Sequence, residues 1–348
     1  MSSTPTARPA TEPLLQVEDL AVEFRTPAGV VRAVDGLSYS VSAGQTLAIV
    51  GESGSGKSVS SLAVMGLLPR PPARIVGGRA LFQGRDLLSL PPKEHRAVCG
   101  DHVAMVFQDA LAALNPVHTV GWQLTEALVA RHRISRRDAR KRAVELLDLV
   151  RVPHAKQRVK DYPHQFSGGM RQRVMIAIAL AMDPEVLIAD EPTTALDVTV
   201  QAQIMRLLAE IQAERQMGLV LITHDLGVVA DVADDVVVMY AGRAVEQADV
   251  FSAYASPAHP YTKALLASIP RLDQRGGTLD VIPGRPPVQG RIPAGCPFHP
   301  RCGYAQDVCR TDPRPEPVEV APGRFSRCHF AGDVLAGREP AELLEEGL

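Results

Sequence analysis

Apolar residues in this chain gather into short unbroken runs that end on polar or charged residues, with stretches of helical spacing between them. Leu47-Ala48-Ile49-Val50, Val103-Ala104-Met105-Val106-Phe107, Val186-Leu187-Ile188-Ala189 and Leu219-Val220-Leu221-Ile222 have no polar alternate positions, the pattern of strands covered on both faces. Looser alternation over Leu14–Phe24 and Val30–Val34, around the turn Thr26-Pro27-Ala28-Gly29, predicts an opening hairpin. A short strand is expected at Ala80–Gln83, and a second hairpin at Val236–Tyr240 and Arg243–Glu246 around Ala241-Gly242. Helices are expected over Val59–Leu68, Thr125–Ala130, Ala139–Val150, from the Ser167-Gly168-Gly169 turn to Met182, Val198–Glu214 and His259–Ser268. The sum is an α/β chain with a mixed sheet core and a helical insertion at about 109–182.

Four segments follow from this pattern. Residues 1–13, rich in Ser, Thr, Pro and Ala, read as a disordered N-terminus without the apolar core of a secretory signal. Residues 14–255 form the main domain, 256–335 a smaller C-terminal domain, and 336–348 a tail. Ten of the 28 prolines lie between Val281 and Cys328, a stretch too poor in periodic apolar residues to fold without a staple. No apolar run approaches the ~20 residues of a membrane-spanning helix. Lys and Arg number 37 against 39 Asp and Glu, a net charge of -2, so the chain lacks the basic field of a nucleic-acid binder. The cluster Arg131, Arg133, Arg136, Arg137, Arg140, Lys141 and Arg142 reads as a solvated helix face.

The candidate chemistry sits where the strands end. Gly51-Glu52-Ser53-Gly54-Ser55-Gly56-Lys57-Ser58 has the G-x-x-x-x-G-K-[ST] form of a P-loop and lies between a strand and a helix. Its glycines let successive N–H groups face phosphate oxygens at a helix N-terminus, Lys57 adds a charge, and Ser58 offers a hydroxyl to Mg²⁺. Gln108 leaves the end of a buried strand, as either a group reaching a metal or water or an ordinary loop residue. Asp190 and Glu191 are adjacent carboxylates after an apolar strand, an arrangement that calls for a cation; Asp190 suits a Mg²⁺ ligand and Glu191 a general base. His224 ends the next strand, where structural and catalytic roles are both open. Ser167-Gly168-Gly169-Met170 opens a helix as a second anion site or a plain Ser cap, and Asp197 caps another helix. Phe24 either stacks on a base or packs the sheet. Cys296, Cys302, Cys309 and Cys328, with five, six and eighteen residues between them, are read as ligands of Zn²⁺ or of an iron–sulfur cluster, or as unrelated thiols.

Taken in order, Gly51–Ser58, Gln108, Ser167-Gly168-Gly169, Asp190-Glu191, Ala195-Leu196-Asp197 and His224 make residues from about 14 to 250 resemble an ABC transporter ATPase. The run Asp190-Glu191-Pro192-Thr193-Thr194-Ala195-Leu196-Asp197-Val198-Thr199, the segment His259-Pro260-Tyr261-Thr262 and the Cys-rich tail look like the D-type ATPase subunit of dipeptide/oligopeptide importers. The resemblance implies a P-loop NTPase fold of the ABC nucleotide-binding type with a small Cys-rich C-terminal extension. It implies ATP and Mg²⁺ as cofactors, with Mg²⁺ held through Ser58, Gln108 and Asp190, the γ-phosphate met by His224 and adenine stacked on Phe24. Ser167, Gly168, Gly169, Met170 and Asp197 would close on ATP held by an opposite subunit. The four tail cysteines resemble ligands of a [4Fe–4S] cluster, with Zn²⁺ as the alternative. Implied partners are a second, related ATPase, two transmembrane permease subunits at the cytoplasmic face of the membrane, and indirectly an extracytoplasmic peptide-binding protein, with no nucleic acid. Import of another small solute, such as a nickel chelate, and a soluble ABC ATPase without transport are the alternatives. The family's signature usually reads Leu-Ser-Gly-Gly-Gln; here Phe166 and Met170 flank its core.

Overall fold

The computed structural model describes residues 12–132, 134–269, 281–288 and 290–338. Nearly all of the N-terminal segment expected to be disordered, and the tail beyond Arg338, lie outside the described residues. The strands in chain order are β1 (Leu15–Thr26), β2 (Gly29–Val41), β3 (Thr46–Val50), β4 (Ala73–Phe82), β5 (Arg85–Asp86), β6 (Val103–Val106), β7 (Val186–Asp190), β8 (Gly218–Thr223), β9 (Asp235–Tyr240), β10 (Arg243–Asp249), β11 (Val318–Ala321) and β12 (Arg324–Ser326). They form two sheets, an antiparallel one ordered β2-β1-β4-β5 and a mixed one ordered β11-β12-β10-β9-β3-β8-β7-β6. In the mixed sheet β3 lies parallel between β8 and β9, and β6, β7 and β8 continue the parallel set.

The unbroken apolar runs exist because each central strand has two covered faces. Leu47 and Ile49 of β3 join a core shared with the antiparallel sheet, while Ala48 and Val50 face a second core beside the C-terminal segment. On β7 and β8 the alternation sends Val186, Ile188, Val220 and Ile222 to the intersheet core, and Leu187, Ala189, Leu219 and Leu221 to a third core under the helices. Period-two geometry thus splits one apolar run between two cores. The third core also holds Leu124 and Leu128 from the helix Val120–His132, Ala139, Ala143, Leu146 and Leu147 from Arg136–Leu149, and Val174–Ala177 from Gly168–Ala179.

Several expected boundaries shift. The strand after the first turn runs on to Val41, and the one expected at Ala80–Gln83 begins at Ala73, because both pair along nearly the whole length of β1. Phe107 falls just outside β6 and is 37% exposed. The helix after Ser167 ends at Ala179, followed by a 3₁₀ turn over Leu180–Met182 and a left-handed Asp183.

The C-terminal segment completes the mixed sheet. β12 pairs with β10 through Glu246 and Gln247, and β11 pairs with β12. Its attachments are apolar and ionic: Phe298 lies 5.3 Å from both Tyr240 and Tyr261, ring centre to ring centre, and buried Glu246 takes Nη2–H of Arg324 at 3.0 Å. The same carboxylate accepts the N–H groups of Ala258 and His259. Removing one partner from a buried pair of this kind costs about 3–5 kcal/mol. His259 is itself buried, and its Nδ1 accepts the N–H of Tyr261 at 3.0 Å.

Burial holds the His259 imidazole down, to about 3. Its ordinary value is ~6.5, so between these limits the unfolded chain binds the extra proton and the folded chain does not. Stability should therefore be complete above about pH 6.5 and fall as the pH drops toward 3. Denaturant unfolding of wild type and His259→Asn across this range checks it: the acid-side slope should be shallower in the variant.

Candidate active site

β3 delivers the chain into the P-loop, and the geometry explains two of its glycines. Gly51 has φ 148°, and a Cβ there would sit 2.2 Å from the Met239 carbonyl oxygen; Gly56 has φ 102°, and its Cβ would sit 2.4 Å from that of Ala33. The loop is therefore pressed against β9 and β2, where a side chain would collide. Lys57 is 5% exposed, and its Nζ donates to the carbonyls of Gly51 at 2.7 Å and Glu52 at 3.0 Å. Burial lowers its pKa, opposed by the charges of Glu191, Asp190 and Glu52.

At the end of β7, Asp190 Oδ1 accepts the Ser58 hydroxyl at 2.8 Å. Burial raises the Asp190 pKa; Ser58 and Lys57 pull it back, while Glu191 pushes it further up. Ser58 and Asp190 are hard oxygen donors side by side and fit Mg²⁺. Gln108 is turned elsewhere: its amide Nε2 donates to Glu191 Oε2 at 2.9 Å. Glu191 also accepts the Thr194 hydroxyl at 2.8 Å, and His224 Nδ1 lies 3.5 Å from its other oxygen. Its backbone is left-handed, φ 44°, and its N–H donates to the Ile222 carbonyl at 2.8 Å. These bonds aim the carboxylate into a cavity of about 690 Å³ lined by Glu52–Val59, Gln108, Glu191, His224 and Pro286.

The remaining candidates lie apart from this cavity. Phe24 is not among its lining residues; the ring packs, partly buried, against the intersheet core. Ser167 Oγ caps its helix by accepting the Met170 N–H, and Asp197 caps Val198–Arg215 by accepting the Val200 N–H at 3.0 Å. A Cβ at Gly169 would meet Val200 at 2.5 Å and one at Gly168 would meet Leu196 at 3.5 Å, so the signature turn and the Asp197 turn are packed together. Neither turn lines the chain's own P-loop cavity.

Among the described residues no group of three or more His, Cys, Asp or Glu side chains is arranged to hold a metal ion. Cys296 and Cys309 pack as apolar side chains in the C-terminal core, and Cys302 divides between that core and Tyr304 and Phe330. Burial pushes the Cys302 thiol up to about 12 and Cys328 further.

Sequence reasoning passed over Thr194, Tyr261 and Arg301. Thr194 stands three residues after the carboxylate it holds, a spacing at which a hydroxyl reaches back locally. Tyr261 Oη accepts the Glu52 N–H at 2.9 Å, and Arg301 forms a two-pronged ion pair with the Glu52 carboxylate at 2.6 and 3.0 Å; nothing local in the sequence announces either.

A P-loop at the end of a central parallel strand, facing an adjacent pair of carboxylates beneath a helical insertion, defines a nucleotide-hydrolysing cassette. The family model described as ABC transporter matches residues 34–194, and that described as oligopeptide/dipeptide transporter, C-terminal region, matches 245–309. The chain is 50% identical over 332 residues to the oligopeptide transport ATP-binding protein OppD of Salmonella typhimurium, covering 94% of this chain and 98% of that one. It is 52% identical over 298 residues to the dipeptide transport ATP-binding protein DppD of Bacillus subtilis, covering 86% and 89%. Among solved structures, a dimeric ATP-binding cassette in a post-hydrolysis state with ADP and Pi aligns with TM-score 0.61 at 26% identity, over 68% of this chain and 98% of that one. The chain belongs to the ABC transporter ATP-binding proteins, in the group of the oligopeptide and dipeptide systems, and is an ATP-hydrolysing subunit.

Proposed function

We propose that this chain powers the import of dipeptides or oligopeptides across a membrane, working with a second ATPase of the same kind and two permease subunits. The observation that carries the chemistry is the placement of Glu191, held by Gln108 and Thr194 with His224 alongside, at the wall of the P-loop cavity. The peptide class is supported by what the relatives are named for and by the match of the C-terminal region. No helix among the described residues is long and apolar enough to cross a membrane, which fits attachment through permease subunits.

In this reading, Lys57 and the N–H groups following Glu52 would hold the β- and γ-phosphates, and Ser58 and Asp190 would hold Mg²⁺, which would draw charge from the phosphate oxygens. Glu191 would accept a proton from the attacking water, His224 would meet the γ-phosphate, and Gln108 would be a further residue able to hold Mg²⁺. The Ser167-Gly168-Gly169-Met170 turn and Asp197, packed together away from the chain's own cavity, face ATP on an opposing subunit in a head-to-tail pair. Phe24 would reach adenine from the strand edge.

For the extension, the proposal is that Cys296, Cys302, Cys309 and Cys328 ligate a [4Fe–4S] cluster in preference to Zn²⁺. Support comes from proximity and from donors: each of the other three thiols raises the Cys328 pKa, and backbone N–H groups of Phe298 and His299, Tyr304, and Phe330 are directed at Cys296, Cys302 and Cys328 respectively. Such N–H···S bonds favour the thiolate form that a cluster requires.

Three measurements check these assignments. Glu191→Gln should keep ATP binding while losing turnover by a factor on the order of 10² or more; wild-type phosphate release would remove Glu191 as the base. The chain should co-purify with two integral membrane subunits, and ATPase activity of that assembly should rise with a peptide-loaded binding protein; isolation free of membrane partners would favour a non-transport ATPase. After anaerobic purification, iron and acid-labile sulfide should be found in equal amounts. Zinc at one per chain without sulfide would refute the cluster.

A further inference from the structure

The P-loop's first variable residue is bound on every polar group it has. The Glu52 carbonyl accepts Nζ of Lys57 at 3.0 Å and the Ser55 N–H at 3.2 Å, which closes the loop on itself. Its N–H and its carboxylate are taken by residues from the C-terminal segment: Tyr261 Oη at 2.9 Å, and the Arg301 guanidinium in a fork at 2.6 and 3.0 Å.

Arg301 is built for this contact. Its side chain is 5% exposed, its Nε donates to the Pro283 carbonyl at 2.8 Å, and its Nη1 also reaches the Tyr240 hydroxyl at 3.3 Å. Tyr240 and Phe298 stand beside the guanidinium at 5.9 and 6.0 Å from their ring centres. A buried guanidinium with one carboxylate partner is costly to leave unpaired, so the pair is held in one geometry. That geometry fixes the first variable residue of a loop whose following residues, Ser53 to Ser58, line the cavity. Pro286, from the same stretch as Pro283, lines that cavity directly.

We propose that Arg301 is a positioning residue for ATP binding: with Tyr261 it clamps Glu52, and thereby orients the phosphate-binding N–H groups, so that the nucleotide site of this chain is completed by its own C-terminal extension. The clamp acts through Glu52 and touches neither Mg²⁺ nor the attacking water, so its loss should appear in nucleotide affinity ahead of the chemical step.

The test uses the full chain, for equilibrium binding of a fluorescent ATP analogue, and the assembled transporter, for steady-state ATPase kinetics. Charge-assisted bonds of this kind correspond to about a tenfold change in an equilibrium constant, so Arg301→Ala should raise Kd and KM by about tenfold or more while kcat stays within about threefold. Arg301→Lys keeps the charge but loses the fork, and should fall between wild type and alanine with an unchanged melting temperature. It also serves as the comparison should Arg301→Ala fail to fold. Glu52→Gln should weaken ATP binding by a similar factor, and Glu52→Gln combined with Arg301→Ala should be no worse than either alone, since both remove one interaction. Wild-type Kd and KM in Arg301→Lys and Arg301→Ala would overturn the proposal. So would losses that multiply in the double variant, or a fall in kcat at unchanged KM.

Discussion

A buried ammonium governs the architecture of this protein. Lys57 is nearly withdrawn from solvent, and burial alone would push it toward its neutral form, useless for holding phosphate. What opposes this is a cage: two carbonyls turned inward from Gly51 and Glu52, and the charges of Glu191, Asp190 and Glu52. The carbonyls can turn inward because Gly51 takes a backbone conformation closed to other residues while pressed against Met239. The carboxylates are at hand because β7 ends in Asp190 two strands from β3 in the same mixed sheet. Loop sequence, sheet order and the strand-end acids are thus consequences of one charge kept out of water.

How much of this could be read from the chain depended on how far apart the interacting residues lie. The P-loop, the strand-end residues Gln108, Asp190, Glu191 and His224, and the helix caps at Ser167 and Asp197 were legible because each is a local pattern, and the continuous apolar runs announced strands covered twice. The full length of β2 and β4 was not, since exposed Gly and Arg positions interrupt their apolar pattern and only pairing with β1 extends them. Phe24 illustrates a limit of another kind: base stacking and core packing ask for the same ring, and the structure lays it against the intersheet core. The hold on Glu52 was invisible because Tyr261 and Arg301 lie 209 and 249 residues further along the chain.

The C-terminal segment also shows what composition leaves out. Its ten prolines and sparse periodicity predict a segment that does not fold on its own apolar residues. In the fold it leans on the cassette: a hairpin on β10, the Tyr240, Tyr261 and Phe298 rings, and the Glu246–Arg324 and Glu52–Arg301 pairs. Such a segment borrows its core, and composition taken alone has no way to register a borrowed surface.

The separation of Glu52 from Arg301 has a temporal side. At roughly 5–20 residues per second, a ribosome would deliver Arg301 roughly 12–50 s after Glu52. β3 waits about three quarters as long for β8 and β9, the neighbours on its two sides. The phosphate loop is therefore among the first features to be synthesised and among the last to acquire its final shape, and a nascent chain cannot present a finished nucleotide site before most of its length has emerged.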